Sequence, residues 1–493
     1  MLQLASILDK DLIIQLQQEL LSQQGLQIIN LNRLDLEKDK MIKLLEARIE
    51  SLESNQKKDS SNSSKPPSSD IGKPQRTQSL RTKSGKKPGG QHGHIGETLL
   101  FSSMPDKVLV HAVQQCGCCG KSLLGGRVVD YERRQVFDIP PIEMLITEHR
   151  SEIKNCPRCH TVSRAVFPEG VSQPVQYGVN VQQPAVYFTQ YQLLPYGRTA
   201  EIFKDLFGHA LSDSFLVNNN HRCAVKLEPF ITDLKAILLK QPVLHVDETG
   251  FYFEGKRNWL HTICTEKHTF YAAHVKRGSE AMKDMSVLPF YEGRLMHDFW
   301  KPYHEFTCLH SLCNVHHLRD LTFCQEVEKS TWAGNVKQLL HDLYKKVTIA
   351  KDVGITGLTN GQLNYWSKKY DTLMKEGLNM HPNPTKQKGT RGVAKKSKTQ
   401  NMLKRFIDYK ESILTFAKDF LIPFGNNLAE QAIRMMKLKQ KISGCFRSKK
   451  RRQRLCRHPQ LYSYSKKTGN SYHASSRRCH SRAALSNKGL NSY

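Results

Sequence analysis

Residues 243–255 read VLHVDETGFYFEG, and the rest of the chain is best understood from this stretch. The apolar run Val243–Val246 ends in two acids, Asp247 and Glu248, followed by a Thr-Gly turn signal. A short apolar run bounded by turn residues reads as a buried strand. Carboxylates at the end of such a strand stand out because the 493-residue chain is strongly basic, with 74 Lys and Arg against 45 Asp and Glu and a formal charge of +29. An excess of this kind points to a polyanionic partner, with nucleic acid first. A membrane partner is not expected: no apolar stretch nears the roughly 20 residues that span a bilayer, and the N-terminus MLQLASILDKDL lacks the pattern of a secretory signal.

Working outward, NWLHTICT and HTFYAAHV read as two strands joined by Glu266-Lys267. SEAMKDMSVL reads as a short helix, and GRLMHDF and HSLCNV as two more strands. Helices follow from 318 to about 420, interrupted by the basic loop NPTKQKGTRGVAKKSK, and a last helix carries NNLAEQAIRMMKLKQ. The order β-β-β-α-β-β and then helices predicts a ribonuclease H-like α/β core with a helical insertion, inside a multidomain α+β chain.

Asp247 is predicted to close the first strand and Asp298 the fourth, on neighbouring strands, with Glu430 on the late helix as a third ligand. Two-metal phosphoryl transfer needs a few carboxylates converging on cations about 3.5–4 Å apart, and a rigid sheet fixes such groups. Strand alternation sends Asp247 and Glu248 to opposite faces, so only the first is assigned to the metals. Arg434, Lys437 and Lys441 follow Glu430 at i+4, i+7 and i+11, a basic stripe suited to a phosphate backbone. His316 and His317 are candidates either for DNA contact or for packing, and Cys313 and Cys324 are expected in the core.

Thirteen cysteines, several in CxxC spacing, favour metal ligation. Cys116/Cys119 and Cys156/Cys159 make two knuckles of a structural Cys₄ zinc site, with Cys118 as an alternative ligand to Cys119. The intervening VVDYERRQVFDIPPIEMLITEHRSEIK has room for a small β insertion. The predicted domains are a helical or coiled-coil segment (1–58), a basic disordered linker (59–100), a zinc module (101–170), a helical DNA-binding region (171–240), the catalytic domain (241–448, with its insertion at about 320–420) and a basic disordered tail (449–493). In the first, Ile42, Leu45, Ile49 and Leu52 follow a coiled-coil 3,4,3 spacing. Residues 57–96 carry nine Lys/Arg against two Asp, with Lys86 and Lys87 expected on phosphates. In the fourth, RTAEIFKDLFG and SFLVNNNHRCAVKLEPFITDL are predicted as the two helices of a helix-turn-helix.

These residues, together with SSNSSKPPSSD, GKKPGGQHGHIGETL, YQLLPYGRTAEIFKDLFG, HDFWKPYH and LCNVHHLRDL, resemble the insertion-sequence-66 transposases, bacterial DDE enzymes, from about residue 40 to 448. The resemblance implies Asp247, Asp298 and Glu430 as the DDE triad, Mg²⁺ (or Mn²⁺) as catalytic ion and a structural Zn²⁺. It further implies action on terminal inverted repeats and target DNA, a homo-oligomer on DNA, accessory proteins from the same element, and a nucleoid-associated cytoplasmic location in a bacterium. Gly425 stands where that family usually has Asp or Thr, Gln431-Ala432 where it has Arg-Asp, and Asn220 where Trp is common. From Lys449 the last 45 residues hold twelve Lys/Arg and no acid, as a frameshifted end would. The alternative function is therefore a catalytically inactive DNA-binding remnant. A third reading is a nuclease of the same fold that cuts without joining.

Overall fold

The computed structural model describes residues 2–56, 93, 98–140, 142–253, 255–384, 394, 396–443, 456, 457, 459 and 460. Most of the predicted basic linker, including Lys86 and Lys87, most of the 383–398 loop and most of the tail lie outside the described residues. The chain divides into two units, one drawn from residues 1–78 and 224–493, the other from 79–223.

Helix α1 (Leu2–Gln56) bears out the helical N-terminus. The proposed seam residues Ile42, Leu45, Ile49 and Leu52 are all exposed on it.

In the 79–223 unit, β1 (Ile153–Asn155) and β2 (Val162–Arg164) pair antiparallel around the second cysteine knuckle. The β insertion expected between the knuckles is absent among the described residues 127–152. Val129, Val136, Leu145 and Ile146 there are exposed, with no second strand to cover them. Helix α2 (Val179–Val186) contains Pro184 and continues as a π-turn over Tyr187–Tyr191. Proline removes a helical hydrogen bond and crowds the preceding turn, which accounts for the change of pitch. Helix α3 (Tyr196–Phe207) ends at Gly208 in the left-handed conformation (φ 70°) that glycine adopts without a steric penalty. Phe203 of α3 packs with Ala185, Leu211 and Leu216.

The second helix of the predicted helix-turn-helix is in fact two, α4 (Asp213–Lys226) and α5 (Glu228–Leu239). Pro229 lies in the first turn of α5, where its missing N–H costs nothing, whereas inside one continuous helix it would cost about 3 kcal/mol.

The other unit is built on a five-stranded mixed sheet. Strands β3 (Val243–Phe253), β4 (Lys256–Cys264) and β5 (Thr269–His274) form an antiparallel meander. After α6 (Ser279–Asp284), β6 (Arg294–His297) and β7 (Leu309–Leu312) add parallel to β3, giving the order β5-β4-β3-β6-β7. Asp247 does not close its strand as predicted: β3 runs on to Phe253 because β4 pairs with it as far as Phe253↔Lys256. The parallel neighbour β6 pairs only with Val243–His245, so Asp247 still lies just past the end of the parallel part of the sheet.

Helices α7 (Asn314–Glu326), α8 (Thr331–Asp352), α9 (Asn360–Met380), α10 (Lys398–Asp408) and α11 (Lys410–Lys418) form the helical block between the second and third acids. Trp332, Tyr370 and Phe406 are fully buried in its core with Cys324, and the Tyr370 hydroxyl donates to the Phe406 carbonyl at 2.7 Å. Thr359 with Gln362, and Ser397 with Gln400, form capping boxes that start α9 and α10. The last helix, α12 (Asn427–Ser443), packs on β3 and β4, burying Met436 with Phe251, Phe253, Leu260 and Tyr271.

Part of the tail departs from the expected disorder. Cys456 and Gln460 are helical and buried, and Gln460 Nε2 donates to the Tyr271 carbonyl at 2.7 Å.

Candidate active site

Asp247 lies on β3, and Asp298 directly follows its neighbour β6. The parallel register runs as far as His245↔Met296, and each acid lies two residues beyond that last pair. Burial raises the Asp247 carboxyl well above the usual carboxylate range, and the Glu248 and Asp298 charges add to it. Asp247 Oδ1 accepts the Glu248 amide at 2.9 Å, and Asp298 Oδ1 accepts the Trp300 amide at 2.9 Å at the start of the 3₁₀ turn Lys301–Glu305.

Glu430 is linked to β3 through Asn426. The Asn426 Nδ2 donates to the Val246 carbonyl at 2.7 Å, its Oδ1 meets His245 Nδ1 at 2.9 Å, and its amide points at Cys313 Sγ at 3.2 Å. One turn later, the Glu430 amide donates to the Asn426 carbonyl at 3.3 Å. The start of α12 is thus tied to the residue before Asp247. Glu430 Oε1 is buried without a hydrogen-bond partner; His316 Nε2 lies 4.0 Å away, and Arg434 is 3.5 Å from the other oxygen. Burial lowers the His316 pKa, but Cys313 and Asp298 outweigh it and the ring is raised to about 9. His316 therefore faces the acids, whereas His317 is buried against Phe406 and packs.

Glu248 is turned to other partners. Arg277 donates to its Oε1 through Nε (3.1 Å) and Nη2 (2.8 Å), and the Tyr303 hydroxyl donates to Oε2. The guanidinium lies over Trp259 and Trp300, at 4.8 and 4.1 Å from the ring centroids. Burial, then the Asp298 charge, pushes Glu248 up to about 7 against these bonds.

The three predicted acids do not fall within one 4.8 Å cluster; among the described residues only His297, His304 and His310 do so. A pocket for two ions about 3.5–4 Å apart is wider than that. Mutually repelling buried carboxylates, and a buried carboxylate oxygen with no donor, fit a divalent cation.

The basic stripe is divided. Arg434 and Lys441 are exposed, but Lys437 donates its ammonium to the Gly250 carbonyl of β3, which ties α12 to that strand and leaves the ammonium two further N–H donors.

The two cysteine knuckles have the same backbone. The Cys116 amide donates to the Lys121 carbonyl and Gly120 to Cys116; the Cys156 amide donates to Thr161 and His160 to Cys156. Gly120 and His160 both have positive φ. This equivalence matches Cys119 to Cys159 and Cys118 to Arg158, favouring Cys119 as ligand. Neighbouring hydrogen-bond donors lower the pKa of Cys116 and of Cys159, as thiolate ligation requires. The four sulfurs do not share one 4.8 Å cluster.

Sequence reasoning missed Asn426, the Arg277–Glu248–Tyr303 group and the three histidines. Only Asn426 left a signal, an amide one helical turn before a candidate acid.

No curated protein matches the chain. Residues 17–99 match a family of unknown function, DUF6444, and residues 114–160 match the zinc-finger binding domain of transposase IS66, which includes all four knuckle cysteines. Residues 175–454, more than half of the chain, match the Transposase IS66 family, over a stretch holding Asp247, Asp298, Glu430 and the helical block, and on this match the chain belongs to the IS66 family of transposases.

Proposed function

We propose that the protein binds the terminal inverted repeats of its element and catalyses DNA cleavage and strand transfer on a ribonuclease H-like core, with Asp247, Asp298 and Glu430 as the catalytic acids. The observation that carries this reading is the buried, donor-free Glu430 Oε1, held by Asn426 against the strand that bears Asp247. The strand order, with a three-stranded meander and two parallel strands added beside β3, supports it.

A pair of Mg²⁺ ions, when bound, supplies Lewis-acid activation of the attacking oxygen and charge relief on the leaving oxygen. Asp247, Asp298 and Glu430 would hold them. His316 balances the acids' charge, and Arg277 keeps Glu248 out of the ligand set. Water is the nucleophile for cleavage and the freed 3′ hydroxyl for joining, so no covalent protein–DNA intermediate is required. Arg434 and Lys441 are placed to contact the backbone phosphates of the DNA.

The zinc module, with Zn²⁺ on Cys116, Cys119, Cys156 and Cys159, and helices α2–α4 are assigned to repeat recognition. The exposed seam of α1 is assigned to self-association on DNA.

The test is a strand-transfer assay with Mg²⁺ and oligonucleotides carrying the element's ends, against Asp247→Ala as control. Joined product from the wild-type chain alone supports the reading. Equal background from both would leave a DNA-binding remnant, and cutting without joining would leave a nuclease.

A further inference from the structure

Beside Asp298, three imidazoles face one another. His297 ends β6, His304 sits in the 3₁₀ turn Lys301–Glu305, and His310 lies on β7. Their ligand atoms all lie within 4.8 Å of one another, and the ring centroids are 5.0–5.2 Å apart.

The hydrogen bonds around them fix where the protons are. His310 Nε2 is 3.0 Å from the Phe306 carbonyl, and His297 Nδ1 meets the Asp298 carbonyl. A carbonyl only accepts, so each of these nitrogens carries the N–H. In neutral rings, His310 Nδ1 and His297 Nε2 are then both lone pairs, yet they face each other at 3.0 Å. His297 is fully buried, and an added charge there would be costly. The third nitrogen, His304 Nε2, is buried with no hydrogen-bond partner. Two lone pairs therefore face each other with no proton to share, and the unpartnered His304 Nε2 stands beside them. Histidines that bind a metal commonly donate their other N–H to a carbonyl, which is the arrangement at His297 and His310.

We propose that His297 Nε2, His304 Nε2 and His310 Nδ1 form a binding site for a borderline divalent ion, zinc, separate from both the cysteine knuckles and the carboxylate pocket. Imidazole nitrogens select zinc over magnesium, which prefers oxygen. Because His297 precedes Asp298 and holds its carbonyl, the ion fixes the main chain that carries this acid. The three histidines are positioning residues, and the site stands whether or not the carboxylates are catalytic.

The test is metal content and Co²⁺ spectroscopy on the full-length protein, stripped by chelator and reloaded in excess Mg²⁺ to occupy oxygen ligands. The Cys116→Ser/Cys156→Ser variant is expected to keep one equivalent of zinc, and with Co²⁺ to show weak visible bands without thiolate charge transfer. His304→Ala/His310→Ala is expected to lose one equivalent relative to wild type and to keep the one held by the cysteines. A cysteine variant that binds no zinc, or a folded histidine variant that holds as much as wild type, overturns the proposal. Should the histidine variant fail to fold, the cysteine variant alone decides it.

Discussion

Asn426 donates its side-chain amide to the carbonyl of Val246 at 2.7 Å, across 180 residues of sequence. This bond and its companion to His245 join the last helix to the central strand one residue before Asp247.

Replacing Asn426 with alanine removes both bonds and leaves a buried carbonyl unpaired. A loss of about 1–3 kcal/mol is expected from an unsatisfied buried group. Strand-transfer activity should fall further than stability does, because Glu430 loses its register with Asp247. Urea denaturation and the transfer assay, run on the same preparation, check this; unchanged activity would count against the anchoring role.

His261, buried on β4, gives a pH dependence. Burial depresses its pKa from 6.5 to about 4, against a weaker effect of the Lys276 backbone. The unfolded chain therefore takes up a proton near pH 6.5 that the folded chain refuses until about pH 4. The stability is present above the unfolded value and is lost as pH falls through this window, by about 3 kcal/mol at most. His261→Gln should flatten the fall, as measured by denaturation midpoints at stepped pH.

The knuckle symmetry separates two adjacent cysteines. Cys119→Ser should abolish the thiolate-to-cobalt charge-transfer band of the Co²⁺-loaded protein, while Cys118→Ser should retain it. The reverse result would make Cys118 the ligand.

Two cations on α12 should behave differently. Arg434→Ala, at an exposed site, is expected to reduce the slope of log K against log salt by about one phosphate contact and to leave stability within about 0.5 kcal/mol. Lys437→Ala should lower thermal stability instead, because its ammonium is bonded to Gly250 of β3. Salt-titrated binding to repeat DNA and thermal melts distinguish them.

Much of the sheet was legible because its strands are short apolar runs with clear ends. The length of β3 was not: Thr249-Gly250 reads as a turn, but β4 holds it in the ladder through Thr249↔Leu260 and Gly250↔Trp259. The break between α4 and α5 was available in Pro229, yet the apolar spacing on either side reads as one helix. The acids could be named from their strand and helix contexts. Their supports could not, because Asn426 with Val246 and Arg277 with Glu248 meet only through tertiary pairing. The three histidines, spaced by seven and six residues, follow neither helical nor strand periodicity, so nothing local brings them together.

The order in which the chain is synthesised gives the Asn426–Val246 bond a further consequence. The ribosome releases the whole sheet and the helical block before residue 426 appears, so a nascent or prematurely terminated product carries two acids and no third. If the three acids act as proposed, a chain that stops before Glu430 is expected to leave DNA uncut.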